Sequence, residues 1–158
     1  MKQISKEALT QVREFLYNKE EKVSAVLVVK SKRTGKDFTY KIIADTRRGT
    51  RIITILLEGF GQKFTPVHYA FDFKPNPIKD LKYKTSEGYA GAVWLLDKIL
   101  ENEIDLILEK TELYHISKCL KCNRPLTDLT SIEYGIGPIC RGESKESQQE
   151  QQPYNREQ

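Results

Sequence analysis

Three cysteines and a histidine late in the 158-residue chain have the types and spacing to hold a metal ion: His115, Cys119, Cys122 and, after a gap of 17 residues, Cys140. Cysteines spaced C-x2-C present both sulfurs to one ion from a tight knuckle, with Zn–S about 2.3 Å. A gap of this length ordinarily separates two such pairs in a zinc site. Here the last member of the second pair is replaced by Glu143. A closed tetrahedral site therefore needs a fourth ligand from elsewhere. His115 supplies an imidazole four residues before Cys119 and would complete a Cys3His set, whereas Glu143 offers a harder oxygen at the start of a polar tail. Ligand preference and anchoring favour His115 over Glu143. The predicted cofactor is one structural Zn2+, and the competing reading is a buried or reactive thiol cluster without metal.

The intervening residues read as a small folded module. Asn123-Arg124-Pro125-Leu126 leaves the knuckle and Thr127-Asp128 can start a turn. Gly135-Ile-Gly137-Pro138 gives two permissive positions and then a proline suited to the first turn of a short helix. That would put Cys140 in the helix's first turn, where N–H groups stabilise a thiolate. The pattern fits a treble-clef or zinc-ribbon site. Four protein ligands leave no position for an activated water, so the ion would supply folding energy and not catalysis. No H-E-x-x-H, G-x-S-x-G or P-loop occurs, Glu103 and Asp105 read as solvent-facing, and His68 reads as a strand residue. The expectation is a protein that is not an enzyme and has no small-molecule substrate.

The stretch His115…Cys119-x2-Cys122-Asn123-Arg124-Pro125-Leu126-Thr127-Asp128…Gly135-Ile136-Gly137-Pro138-Ile139-Cys140 resembles the C-terminal signature of a family of small proteins of unknown function, widespread in bacteriophages and mobile elements. The resemblance implies zinc held by His115, Cys119, Cys122 and Cys140, and structural roles for Arg124, Gly135, Gly137 and Pro138. The sequence departs from the family pattern at Asn123, where Gly is usual. The family carries no established activity.

Charge points to a second candidate region. The chain has 26 Lys and Arg against 22 Asp and Glu. The 22 residues from Lys30 to Arg51 hold eight cations (Lys30, Lys32, Arg33, Lys36, Lys41, Arg47, Arg48, Arg51) and only Asp37 and Asp45 as acids. Such a patch attracts phosphate-bearing partners, and the nearby Phe38 and Tyr40 suit unpaired bases. Lys30, Lys32, Arg33, Lys36, Arg47, Arg48 and Arg51 are the candidate nucleic-acid contacts. In a meander the Arg33 and Arg47 turns fall at opposite ends of the sheet, which would divide the patch.

The elements that must position these groups follow from periodicity. Ser5 caps a helix with Leu9, Val12, Phe15 and Leu16 on one face, ending at Asn18. Ser24–Lys30, Phe38–Ala44, Thr50–Glu58 and His68–Phe73 read as strands separated by turns, with a break at Gly59-Phe60-Gly61. Ser86 caps a second helix with a Tyr89, Val93, Leu96, Leu100 stripe and Trp94 beside it as a packing residue. Ile104–Leu108 is ambiguous between helix and strand, and Leu113–Ile116 runs extended into the cysteine module. The expected fold is α+β: an N-terminal helix, an antiparallel meander of about four strands packed by a helix, then the zinc module. Residues 1–110 form the α+β domain, 111–142 the zinc module, and 143–158, rich in Gln, Glu and Ser, a disordered tail. No run approaches the length of a membrane helix, and Met1–Ser5 does not resemble a secretory leader, so a cytoplasmic location is expected, in a host cell if phage-encoded.

Together these readings predict a non-enzymatic zinc-binding phage or mobile-element protein that associates with nucleic acid or a nucleoprotein complex. The alternative is an interaction module, an inhibitor or adaptor of the anti-defence or host-takeover type acting on a host protein complex.

Overall fold

The computed structural model describes residues 1–59, 62–75 and 86–142. In chain order the elements are β1 (Lys2–Gln3), α1 (Lys6–Tyr17), β2 (Val23–Ser31), β3 (Asp37–Arg47), β4 (Thr50–Gly59), β5 (Gln62–Phe71), β6 (Lys74–Pro75), α2 (Glu87–Leu100), α3 (Ile104–Lys110), β7 (Thr111–His115) and α4 (Leu129–Tyr134). The strands form one antiparallel sheet in the order β1-β7-β2-β3-β4-β5-β6. The expected α+β class and the meander β2 to β5 are present, and the sheet has seven strands where about four were expected. The break at residues 60 and 61, the connector 76–85 and the tail 143–158 lie outside the described residues.

Both long helices begin where the sequence signals them. Ser5 accepts from Ala8 N–H and Ser86 from Tyr89 N–H, each satisfying an orphan donor of a first turn. α1 buries Leu9, Val12, Phe15 and Leu16 as its periodicity dictates. α2 turns Ala92, Leu95, Leu96, Ile99 and Leu100 to the core, so its stripe is rotated from the expected one and leaves Tyr89 and Val93 half-buried. Gly88 and Gly91 explain the rotation. A Cβ on Gly88 would stand 2.7 Å from Leu57, and one on Gly91 2.5 Å from the Tyr40 hydroxyl, so this side of α2 lies directly on the sheet. Tyr40 donates to the Gly88 carbonyl at 2.9 Å, which satisfies its buried hydroxyl. Ile104–Leu108 proves helical.

Three further expectations are corrected. The fourth strand starts at Gln62, not His68, because a bulge at Val67 (Ile55 opposite His68, Leu56 opposite Pro66) resets the alternation. Pro66, which argues against a central strand, is tolerated because β6 pairs only with Ala70 and Phe71. Phe73 leaves the strand in a left-handed turn (φ 69°) and stacks on Tyr17 at 4.2 Å. Finally, the boundary expected at residue 111 falls on β7, which sits between β1 and β2 inside the sheet. The cysteine module is therefore anchored to the main fold by a shared strand.

Candidate metal centre

β7 delivers the chain into the module, and Ser117 in a left-handed conformation (φ 63°) turns it out of the sheet. Lys118 bridges Pro125, Cys119 N–H donates to the Arg124 carbonyl at 2.8 Å, and Asn123 N–H donates to the Cys119 carbonyl at 2.9 Å, closing the knuckle. Asn123 holds the left-handed position (φ 63°) that glycine adopts most easily, with its Oδ1 buried and unpartnered. Ser24 N–H of β2 donates to the Lys121 carbonyl at 2.7 Å, tying the knuckle to the sheet. Asp128 then caps α4 by accepting from Ser131 N–H, and Gly135 (φ 91°) ends it. Cys140 follows in a single turn closed by Arg141 N–H to the Gly137 carbonyl at 2.8 Å. The helix of the module thus precedes Cys140 and does not carry it. Two glycines and a proline supply a turn there, and Gly142 (φ 102°) ends it.

These turns bring the Cys119, Cys122 and Cys140 sulfurs within 4.8 Å of one another. Tetrahedral zinc requires sulfurs about 3.8 Å apart, from Zn–S bonds of about 2.3 Å, so the cluster fits such an ion with small adjustment. Backbone N–H groups of Lys121 and Gly137 each point at Cys119 Sγ at 3.4 Å. A hydrogen bond from Cys140, opposed by burial and assisted by N–H groups of Gly137, Cys122 and Lys121, holds the Cys119 thiol far below its usual range. The same contact pushes Cys140 up. A thiolate poised among thiols and aimed N–H groups is the donor chemistry a thiophilic cation requires. A groove of about 690 Å³ opens beside the sulfurs, lined by Arg124, Pro138 and Ile139 among others.

His115 is not brought into this cluster. Neither of its ring nitrogens belongs to the group lying within 4.8 Å of all three sulfurs. The ring is buried in β7, its Nδ1 accepts from Ser117 N–H at 3.0 Å, and Gly135 packs so closely that a Cβ there would meet His115 Cδ2 at 2.9 Å. Burial lowers its pKa, opposed by the Ile132 carbonyl. His115 faces α4, because residues of a strand alternate sides and position 115 shares the inward side with Leu113. Glu143, the other candidate, lies outside the described residues.

The basic stretch divides. β3 spans eleven residues, so its two turns stand roughly 33 Å apart at about 3.3 Å per residue. At one end, Arg47 pairs with Asp45 at 3.5 Å and Arg48 sits in the turn with φ 52°. Arg51 is fully buried: Nε donates to the Leu16 carbonyl at 2.8 Å, Nη2 to Phe15 at 2.8 Å, and Nη1 to Glu21 at 2.6 Å. It closes the C-terminus of α1, where carbonyls lack intrahelical partners, and is unavailable to nucleic acid. Lys30 lies across from Glu112 and Asp37 in neighbouring strands.

At the other end, Lys32, Arg33 and Lys36 border a groove of about 1050 Å³ between the β2–β3 hairpin, α2 and α3. Phe38 and Trp94 also line it, with Lys110 at the end of α3. Lys36 is paired with Glu87 at 2.8 Å, and Lys32 Nζ donates to the Leu108 carbonyl at 2.9 Å. Sequence reasoning treated Trp94 as packing only and did not reach Lys110, because the α3 assignment that places it was ambiguous. It also missed the buried contact of His68 Nε2 with Asp97 Oδ1 at 3.0 Å, which pins α2 to β5.

Residues 110–144 match a family of unknown function, DUF6011. The match takes in His115, all three cysteines and Glu143, and none of the basic stretch. No curated protein and no solved structure matches the chain.

Proposed function

We propose that the chain is a non-enzymatic zinc-binding protein, of phage or mobile-element type, that associates with nucleic acid at the turn of the β2–β3 hairpin. The observation that carries the reading is the groove lined by Lys32, Arg33, Lys36 and Lys110 together with Phe38 and Trp94, in which Glu87 and Glu109 are the acidic members. Cations there neutralise phosphates, and aromatic faces beside them stack on unpaired bases, the combination that single-strand binding uses. Zinc on Cys119, Cys122 and Cys140, with a fourth protein ligand closing the site, serves as scaffolding for a module with little core of its own. Leu120 and Ile136 are buried in it, while Leu129 and Ile139 stay 81% and 54% exposed.

Fluorescence anisotropy with labelled single-stranded DNA and RNA, titrated with salt, tests the nucleic-acid reading. About three phosphate contacts give a log–log salt slope near −2. Arg33→Glu with Lys36→Glu is expected to weaken binding at least tenfold, and Arg47→Glu with Arg48→Glu to leave it within about twofold. No binding at low salt, or equal losses in the two pairs, overturns the assignment.

A further inference from the structure

Among the described residues, helices cover one side of the sheet. The core cluster takes Val23, Ala25, Leu27 and Val29 from β2, Tyr40, Ile42 and Ala44 from β3, and Ile53, Ile55 and Leu57 from β4, together with α1, α2 and α3. Strand residues alternate sides, so the positions between these lie on the opposite face. That face carries Val26 and Val28, already buried by their neighbours, and the half-buried Ile43, Ile52 and Leu56, continued on β5 by half-buried Phe64, Pro66 and Tyr69 and by exposed Phe71, because the Val67 bulge keeps all four on one side. Tyr69 and Phe71 stack with centroids 6.0 Å apart, and Phe71 is 36% exposed. Among the described residues no helix lies over this surface. An apolar sheet face of this extent needs a covering layer.

From this face we infer that the protein forms a two-fold homodimer by stacking sheet on sheet. The occupant follows from charge and area. The cations of the face, Lys30, Lys41 and Arg47, nearly balance Asp37, Asp45, Glu58 and Glu112 around its margin, so the surface is close to neutral, offers a phosphate polymer little attraction and suits a second copy of itself. Four strands about 4.8 Å apart, crossed by four rows of outward residues about 6.7 Å apart, give roughly 500 Å² in projection per copy. Two copies therefore bury about 1000 Å² or more, the size at which specific association begins.

One arrangement in this register pairs opposite charges across the contact. Lys41 lies opposite Leu56 and Thr39 is one row away beside Glu58, while Lys41 Nζ already leans over Phe64 at 5.8 Å. A dyad running along the strands between β3 and β4 sets Val26 against Pro66 and Val28 against Phe64 of the second copy. It also brings each Lys41 diagonally beside the other copy's Glu58. The contact is isologous, as two-fold symmetry requires.

Sedimentation equilibrium of the full zinc-loaded chain tests this, with circular dichroism confirming that each variant is folded. The wild type is expected to be dimeric at 100 µM, and Leu56→Glu to raise the dimer dissociation constant at least tenfold. Lys41→Glu and Glu58→Lys should each weaken the dimer several-fold, and the double variant should recover wild-type association. A monomeric wild type, a dimer indifferent to Leu56→Glu, or single-variant losses not recovered in the double variant each overturn the inference. Salt titration of nucleic-acid binding by Leu56→Glu reads the groove separately, because the two surfaces share no residue.

Discussion

Replacing Arg51 by Met separates a structural arginine from a nucleic-acid contact. The side chain has no exposed surface and donates to the Phe15, Leu16 and Glu21 carbonyls and to Thr46 Oγ1. Met retains most of the apolar stem, so the cavity left is small and the loss is chiefly of hydrogen bonds. The Phe15 and Leu16 bonds are fully buried and the Glu21 bond partly so. A stranded buried acceptor costs about 1–3 kcal/mol. Phe15 O keeps a hydrogen bond from Asn18 N–H at 3.2 Å, so Leu16 O is the carbonyl stranded outright, and with smaller contributions from Phe15 and Glu21 the expected loss is about 2–4 kcal/mol. For a chain of this length that lowers Tm by roughly 10 °C, at about 2–4 °C per kcal/mol. Arg51→Lys should fall between, since one ammonium reaches only part of the carbonyl set. Arg47→Ala and Arg48→Ala, on the exposed turn, should stay within about 0.5 kcal/mol. Urea and thermal unfolding followed by far-ultraviolet circular dichroism, at fixed zinc, read all four. An Arg51→Met loss below about 1 kcal/mol would refute the capping argument.

Further outcomes are expected in the module. Metal analysis should find one zinc per wild-type chain, retained by His115→Gln if the protein stays folded, and lost from Cys119→Ser; equal content in both variants would show the ligand set to be misassigned. Asn123→Gly should stabilise by about 0.5–1 kcal/mol in chemical denaturation, since it relieves a left-handed non-glycine and removes an unpartnered buried oxygen. Asp128 is held below its ordinary value of 3.8 by Ser131 N–H, with the Ser131 side chain and Arg141 adding to this. The unfolded chain therefore binds the proton first on acidification, so the cap's contribution is full above that ordinary value and lost as pH falls through the depressed one. Unfolding curves of Asp128→Asn should accordingly show a shallower acid dependence below about pH 4.

The elements closest to local rules were legible without coordinates. Ser5 and Ser86 announced their helices, the β-branched runs gave β2 to β4, and C-x2-C with Cys140 named the three sulfurs that converge. Caps, alternation and knuckles are written in neighbouring residues, so the chain alone determines them. What the chain alone did not determine depends on residues far apart in sequence. β7 inserts beside β2 from some 80 positions away, which dissolves the boundary expected at residue 111. The side His115 presents is decided by its register on that strand, and the imidazole goes under α4 and not to the sulfurs. Arg51 read as one cation among eight because its acceptors belong to the end of another helix. The Val67 bulge reset a period that local counting could follow only from His68 onward. Local sequence fixes which groups are present and how each segment curls, and long-range pairing decides which of them meet.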